Sequence, residues 1–177
     1  MFTHKVLCVL ALAVGLGTAA AFAETAGLGK PVSEADLAAW DISVMPDGTG
    51  LPAGSGTPAQ GARVYAEKCS SCHGDNGRNP VSAGAGPMVS GPISGIDGPE
   101  TIGSFYGYST IVFDFVRRAM PWNMPRTLSN DEVYAVTAYL LAINKIIGEN
   151  DVMNADTLPK VKMPNRDGFI SKYPEKH

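Results

Sequence analysis

Apolar side chains recur at helical spacing in three stretches of the chain, each opened by residues that start helices. The first opens at Thr57-Pro58-Ala59-Gln60, which sets a capping hydroxyl, a proline at the first helical position and a glutamine three residues on; Gly61, Val64, Tyr65 and Cys69 follow on one side. The second covers residues 109–118, with Ile111, Val112, Phe115 and Val116 as its predicted buried side and Arg117 and Arg118 at its negative end. The third opens at Ser129-Asn130-Asp131-Glu132, a capping box with two acids at the positive end of the helix dipole. Val133, Val136, Tyr139, Leu140, Ile143 and Ile147 give it a broad apolar face, and Gly148 is its predicted stop. A short helix is predicted from Glu34, capped by Ser33, with Leu37 and Trp40 on one side; Trp40 is expected to anchor an arm against the domain. Gly61 lets the first and third long helices cross closely, with Tyr65 and Tyr139 beside the contact. The elements predict an all-α fold.

Other stretches lack this periodicity. Residues 74–108 hold nine glycines and four prolines, too many for regular helix or sheet, and Asp47-Gly48 with the glycines at 50, 54 and 56 marks turns. At the N-terminus, Lys5, an apolar run over residues 6–16 and Ala21-Phe22-Ala23 read as a positive region, a core and a small-x-small cleavage site. The run falls far short of the roughly 20 residues of a membrane span. The expected division is therefore a signal peptide over 1–23, an N-terminal extension over 24–56, a helical domain over 57–148 and a C-terminal extension over 149–177. The mature chain is expected to be periplasmic, without a stable membrane anchor.

Cleavage leaves 154 of 177 residues, one ordinary domain, and moves the formal charge from −3 to −4 because Lys5 departs. An acidic balance argues against nucleic acid as a partner. Cys8 leaves with the signal, so Cys69 and Cys72 remain as a pair.

That pair lies in Cys69-Ser70-Ser71-Cys72-His73, the C-x-x-C-H pattern of c-type haem attachment. Two thiols three positions apart can add to the two vinyl groups along one porphyrin edge, and the following imidazole can ligate the iron. Zinc needs four ligands, and beyond this pair the mature chain offers only His73 and the terminal His177; no βαβ pattern supports a thioredoxin-like dithiol. One motif implies one covalent haem c. A carbonyl must accept the Nδ1 proton of such a histidine, and Pro87 is a candidate for that position, with a plain turn proline as the alternative. With no second internal histidine, the sixth ligand is sought among the methionines at 45, 88, 120, 124, 153 and 163. Met120 stands 47 residues after His73, and Pro121 forces extended backbone at Met120 beyond the second long helix. Met124-Pro125 has the same local form and is the chief rival.

A C-x-x-C-H after a capped helix, a Gly/Pro-rich loop, a Met-Pro loop and a closing helix resemble the class I cytochromes c over residues 57–148. The resemblance implies a small helical domain wrapped around one covalent haem, with loop-rich N- and C-terminal extensions. It also implies Met120 as distal ligand and Pro87, in Gly86-Pro87-Met88, as the proline facing His73. Longer matches are Ala39-Trp40-Asp41-Ile42, Pro46-Asp47-Gly48-Thr49-Gly50-Leu51-Pro52, Arg117-Arg118-Ala119-Met120-Pro121, Asp131-Glu132-Val133-Tyr134-Ala135-Val136 and Lys162-Met163-Pro164-Asn165-Arg166-Asp167-Gly168-Phe169. These resemble cytochrome subunits that serve molybdenum-dependent sulfite dehydrogenases and the related sulfane dehydrogenase. The latter typically carry two haems; one motif here favours the sulfite type.

Two classes of function follow. An electron carrier fills both axial positions with protein, and the resemblance implies a molybdopterin sulfite dehydrogenase as donor and a cytochrome or terminal oxidase of the respiratory chain as acceptor. A general periplasmic carrier for another dehydrogenase is the near alternative. A haem enzyme or sensor instead needs a vacatable sixth position. The sequence holds no nucleophile, paired-carboxylate or phosphate-loop signature of independent catalysis.

Overall fold

The computed structural model describes residues 29–89 and 100–169, so the expected signal segment and the terminal His177 lie outside the described residues. The chain divides into two compact units, residues 1–38 and 39–177. Helix α1 (Glu34–Trp40) is capped by Ser33, whose hydroxyl accepts from the Asp36 amide. Trp40 is 82% exposed, so its expected role as a packing anchor is corrected: a ring left to water buries little apolar surface.

The second unit is built on α2 (Pro58–Lys68) and α5 (Asn130–Ile143), with α4 (Ser109–Ala119) packed against α5. Both capping boxes form as predicted. Thr57 accepts from the Gln60 amide while Gln60 accepts from the Thr57 amide, and Ser129 and Glu132 repeat the exchange. Glu132 also takes a salt bridge from Lys68, which ties the end of α2 to the start of α5. That Lys68 hydrogen bond, followed by the Ser129 amide, holds its carboxyl below the usual carboxylate range.

The α2/α5 crossing depends on Gly61. A Cβ there would lie 1.9 Å from the Ala135 carbonyl oxygen, so no side chain fits without parting the helices. Tyr65 and Tyr139 stack beside the crossing with ring centroids 5.1 Å apart, as the sequence predicts. Gly61→Ala gains at most about 1 kcal/mol of helix propensity, whereas forcing a methyl into a packed contact costs about 1–3 kcal/mol or more. A net loss of about 2 kcal/mol is expected, read as a lower denaturant midpoint with an unchanged slope.

Two expectations about helix faces are revised. In α4 the buried side chains are Ser109, Thr110, Val112, Phe113 and Val116, while Ile111 and Phe115 are 40% and 47% exposed. The i, i+3, i+4, i+7 stripe through 109, 112, 113 and 116 faces α5, where Phe113 stacks on Tyr134 at 4.5 Å; Ile111 and Phe115 lie off that stripe. In α5 the helix stops at Ile143 with Asn144 as C-cap, five residues before Gly148, because Lys145 takes a left-handed φ of 62°. Ile146 and Ile147 still pack against the core from the following turn.

Among the described residues of 74–108 no helix or strand forms. The chain ends add to the core. A two-residue ribbon pairs β1 (Ser55–Gly56) antiparallel with β2 (Met153–Asn154), a small addition to the helical architecture. Met153, Leu158 and Met163 are buried, Ser109 donates to the Leu158 carbonyl at 2.6 Å, and Tyr134 donates to the Pro52 carbonyl at 2.8 Å. Arg166 lies over the Tyr108 ring at 3.8 Å. Several of the family-like stretches at both ends therefore pack on the helices.

Candidate functional site

Helix α2 ends where Cys69 departs from helical geometry, and a one-turn helix, α3 (Ser70–His73), follows directly. Cys69, Cys72 and His73 thus share one turn, with Cys69 half-buried against the core, Cys72 exposed and His73 half-buried. Gly74 closes the turn at φ 74°, where a Cβ would meet the Asn79 carbonyl at 2.2 Å. The amides of Val81 and Ser82 then donate to the Cys72 carbonyl at 2.9 and 3.2 Å, folding the chain back beside the motif.

Both thiols are free. Burial pushes Cys69 up to about 11, so it is a neutral thiol at physiological pH. A catalytic dithiol needs the opposite, a thiol tuned toward the thiolate. No three of His, Cys, Asp and Glu group as metal ligands among the described residues.

The Nδ1 atom of His73 is buried and makes no hydrogen bond of normal geometry. Desolvation lowers the ring's pKa, and the Gly86 backbone acts against that shift as an acceptor. The expected Pro87 follows Gly86 directly and is half-buried.

Met120 comes from a different element. It is the C-cap of α4 in extended backbone (φ −118°, ψ 147°), as Pro121 predicts, and it packs half-buried against the core. Met124 is 55% exposed. Arg118 forks onto Asp114 with bonds of 3.0 and 2.8 Å, and Arg117 donates to the Ile42 carbonyl at 3.3 Å.

These features fit a covalently attached haem. Two free thiols and an imidazole share a turn, one imidazole nitrogen is buried without a partner, and a soft thioether is fixed on a separate segment. Ile111 and Phe115 leave apolar surface of α4 uncovered by protein. The sequence did not signal two supports of the surrounding loop, the Tyr65 hydroxyl on the Gly74 carbonyl at 2.8 Å and the Asn144 amide on the Met88 carbonyl at 3.2 Å.

Comparison with known proteins gives a consistent picture. A family model described as cytochrome c oxidase, cbb3-type, subunit III matches residues 56–140, from the cap of α2 through most of α5. The thiosulfate dehydrogenase of Stutzerimonas stutzeri (strain A1501) is 33% identical over 89 residues, 50% of this chain but 28% of that protein, so this chain matches well under two thirds of that relative's length. A chain in the crystal structure of the sulfane dehydrogenase SoxCD from Paracoccus pantotrophus has a TM-score of 0.75 and 37% identity, over 85% of this chain and 72% of that one. By fold and by sequence, this chain belongs to the cytochrome c family, whose cofactor is haem c.

Proposed function

We propose that this chain is an exported, periplasmic mono-haem electron carrier that accepts single electrons from a molybdenum sulfite dehydrogenase and passes them to the respiratory chain, without catalysing a reaction alone. The observation that carries this reading is the turn at the end of α2, where Cys69, Cys72 and His73 converge with one buried imidazole nitrogen left for a backbone acceptor. In this assignment Cys69 and Cys72 hold haem c through thioether bonds, His73 is the proximal ligand and Met120 the distal one. The Gly86–Pro87 stretch provides the carbonyl that orients His73. Bound haem supplies a one-electron ferrous/ferric couple. The protein's part would be to hold the iron with two side chains, His73, placed on α3, and Met120, placed at the end of α4. The single C-x-x-C-H motif supports one haem. The names of the two relatives, a thiosulfate dehydrogenase and a sulfane dehydrogenase, support a sulfur compound as the ultimate electron source.

Trp122 supports a docking role for the Met120 loop, since it is 83% exposed two residues after Met120 and two before exposed Met124. A transient electron-transfer pair buries under roughly 1,200 Å², and one exposed tryptophan can supply much of its binding energy. Trp122→Ala is expected to slow second-order reduction by the donor about tenfold at an unchanged potential. Stopped-flow mixing of the oxidised, haem-loaded protein with a sulfite-reduced dehydrogenase tests both statements. Fast reduction that slows with ionic strength fits an acidic carrier meeting a basic rim. A thiosulfate-driven donor that alone reduces the protein would reassign the partner, and failure with every sulfur dehydrogenase would leave a general periplasmic carrier.

A further inference from the structure

The turn that carries Cys69, Cys72 and His73 enters from α2 and leaves into a segment with no helix or strand among its described residues. Inside the turn the amides of Cys72 and His73 donate to the Cys69 carbonyl at 3.1 and 3.0 Å, and the Gly74 amide donates to the Ser70 carbonyl at 2.8 Å. These bonds shape the turn without fixing it to the long helices. At its entrance the Cys69 amide donates to the Tyr65 carbonyl at 2.9 Å, continuing the last turn of α2. At its exit the Tyr65 hydroxyl donates to the Gly74 carbonyl at 2.8 Å. One residue of α2 therefore holds both ends of the turn, by its main chain at Cys69 and by its side chain directly after His73.

Tyr65 is itself well fixed. It is 1% exposed, and its ring lies against Tyr139 of α5, with centroids 5.1 Å apart, beside the crossing that Gly61 permits. The hydroxyl thus carries the rigidity of two packed helices to the exit of the turn. The carbonyl it meets belongs to a buried residue. The Gly77 amide also reaches that carbonyl, at 3.5 Å, but comes from the same loop and adds no tie to a helix. A phenylalanine at position 65 would keep the ring contact and lose the donor.

We propose that Tyr65 is a positioning residue for the proximal ligand: its hydroxyl ties the exit of the Cys69–His73 turn to the α2/α5 crossing and so fixes where the His73 backbone, and with it the imidazole, stands. This rests on the reading of His73 as the proximal ligand. Groups beyond the ligand set orient the ligand, and a site is held to about 0.5 Å only when such support is itself locked by packing.

The test uses the full, haem-loaded, ¹⁵N-labelled chain and compares wild type, Tyr65→Phe and Tyr134→Phe. The last removes the same kind of bond elsewhere, a buried tyrosine's hydroxyl on the Pro52 carbonyl at 2.8 Å, and reports what the loss of one such bond does in general. Both variants are expected to fold with a lowered unfolding midpoint. In Tyr65→Phe the amides of His73 and Gly74 are expected to exchange about tenfold faster, the scale of one net hydrogen bond, and the hyperfine-shifted ring resonances of ferric His73 are expected to move. In Tyr134→Phe both readings should stay at the wild-type values. Wild-type exchange in Tyr65→Phe, or equal changes in Tyr134→Phe, would overturn the proposal. If wild-type His73 gives no hyperfine-shifted ring resonance, the ligand reading fails and the proposal with it; a shifted resonance that Tyr65→Phe leaves unmoved removes the positioning role alone.

Discussion

Replacing both Cys69 and Cys72 by alanine is expected to yield a chain without covalently held haem and without a cooperative unfolding transition. The described core is built from α2, α4, α5 and the C-terminal turns. The segment after His73 is kept in place by loop hydrogen bonds and by two side-chain bonds, from Tyr65 and Asn144. Ile111 and Phe115 of α4 are 40% and 47% exposed, apolar surface that a haem could cover. Fully burying an apolar side chain contributes about 1.5–3 kcal/mol, of which these two partly exposed residues would each gain a share against a cofactor. Against a total stability of about 5–15 kcal/mol, these sums decide whether the domain folds. A covalent tether also removes the concentration dependence of a bound group, so the double variant should regain stability only with excess free haem. Intact-mass measurement and thermal unfolding check this. Cys69→Ala or Cys72→Ala alone should leave one thioether bond, whereas a cooperatively folded, haem-free double variant would contradict the account of stability.

The second large effect is expected from Met120→Ala, which should lower the reduction potential and make the reduced protein reactive toward carbon monoxide. Met124→Ala should leave spectrum and potential nearly unchanged. A thioether ligand raises the potential, so its removal moves the couple downward. The two methionines share the Met-Pro form but not their setting. Met120 is half-buried on the core, and its amide donates to the Val116 carbonyl at 3.1 Å, continuing the last turn of α4. Met124 is 55% exposed in the following turn, where its carbonyl accepts from the Thr127 hydroxyl at 2.8 Å. Redox titration and carbon monoxide difference spectra of both variants separate them; the reverse pattern would assign the ligand to Met124.

Local chemistry was legible in the sequence because it acts within a few residues. Thr57-Pro58-Ala59-Gln60 and Ser129-Asn130-Asp131-Glu132 announce two helix starts, Pro121 the end of α4, and Gly61 the close crossing, since each leaves a side-chain signature. Faces and stops were harder to read. Helix α4 carries apolar residues at 111, 112, 113, 115 and 116, more than one stripe can hold, so periodicity alone could not choose Phe113 over Phe115. Helix α5 ends at Asn144 because the backbone turns left-handed at Lys145, a conformation uncommon for lysine, while Gly148 offered the more obvious stop. In the site, the C-x-x-C-H turn was fully visible. The Asn144 bridge to the Met88 carbonyl was not, because it spans 56 residues of sequence.

The central claim, that protein side chains fill both axial positions of one haem in an electron carrier, is tested most directly by adding carbon monoxide to the reduced wild-type protein. The account predicts an unchanged spectrum at saturating gas, together with a methionine-to-iron charge-transfer band in the oxidised form. A rapid shift to a carbon monoxide adduct, with no such band, would contradict it and point to a haem enzyme or sensor with an open sixth position.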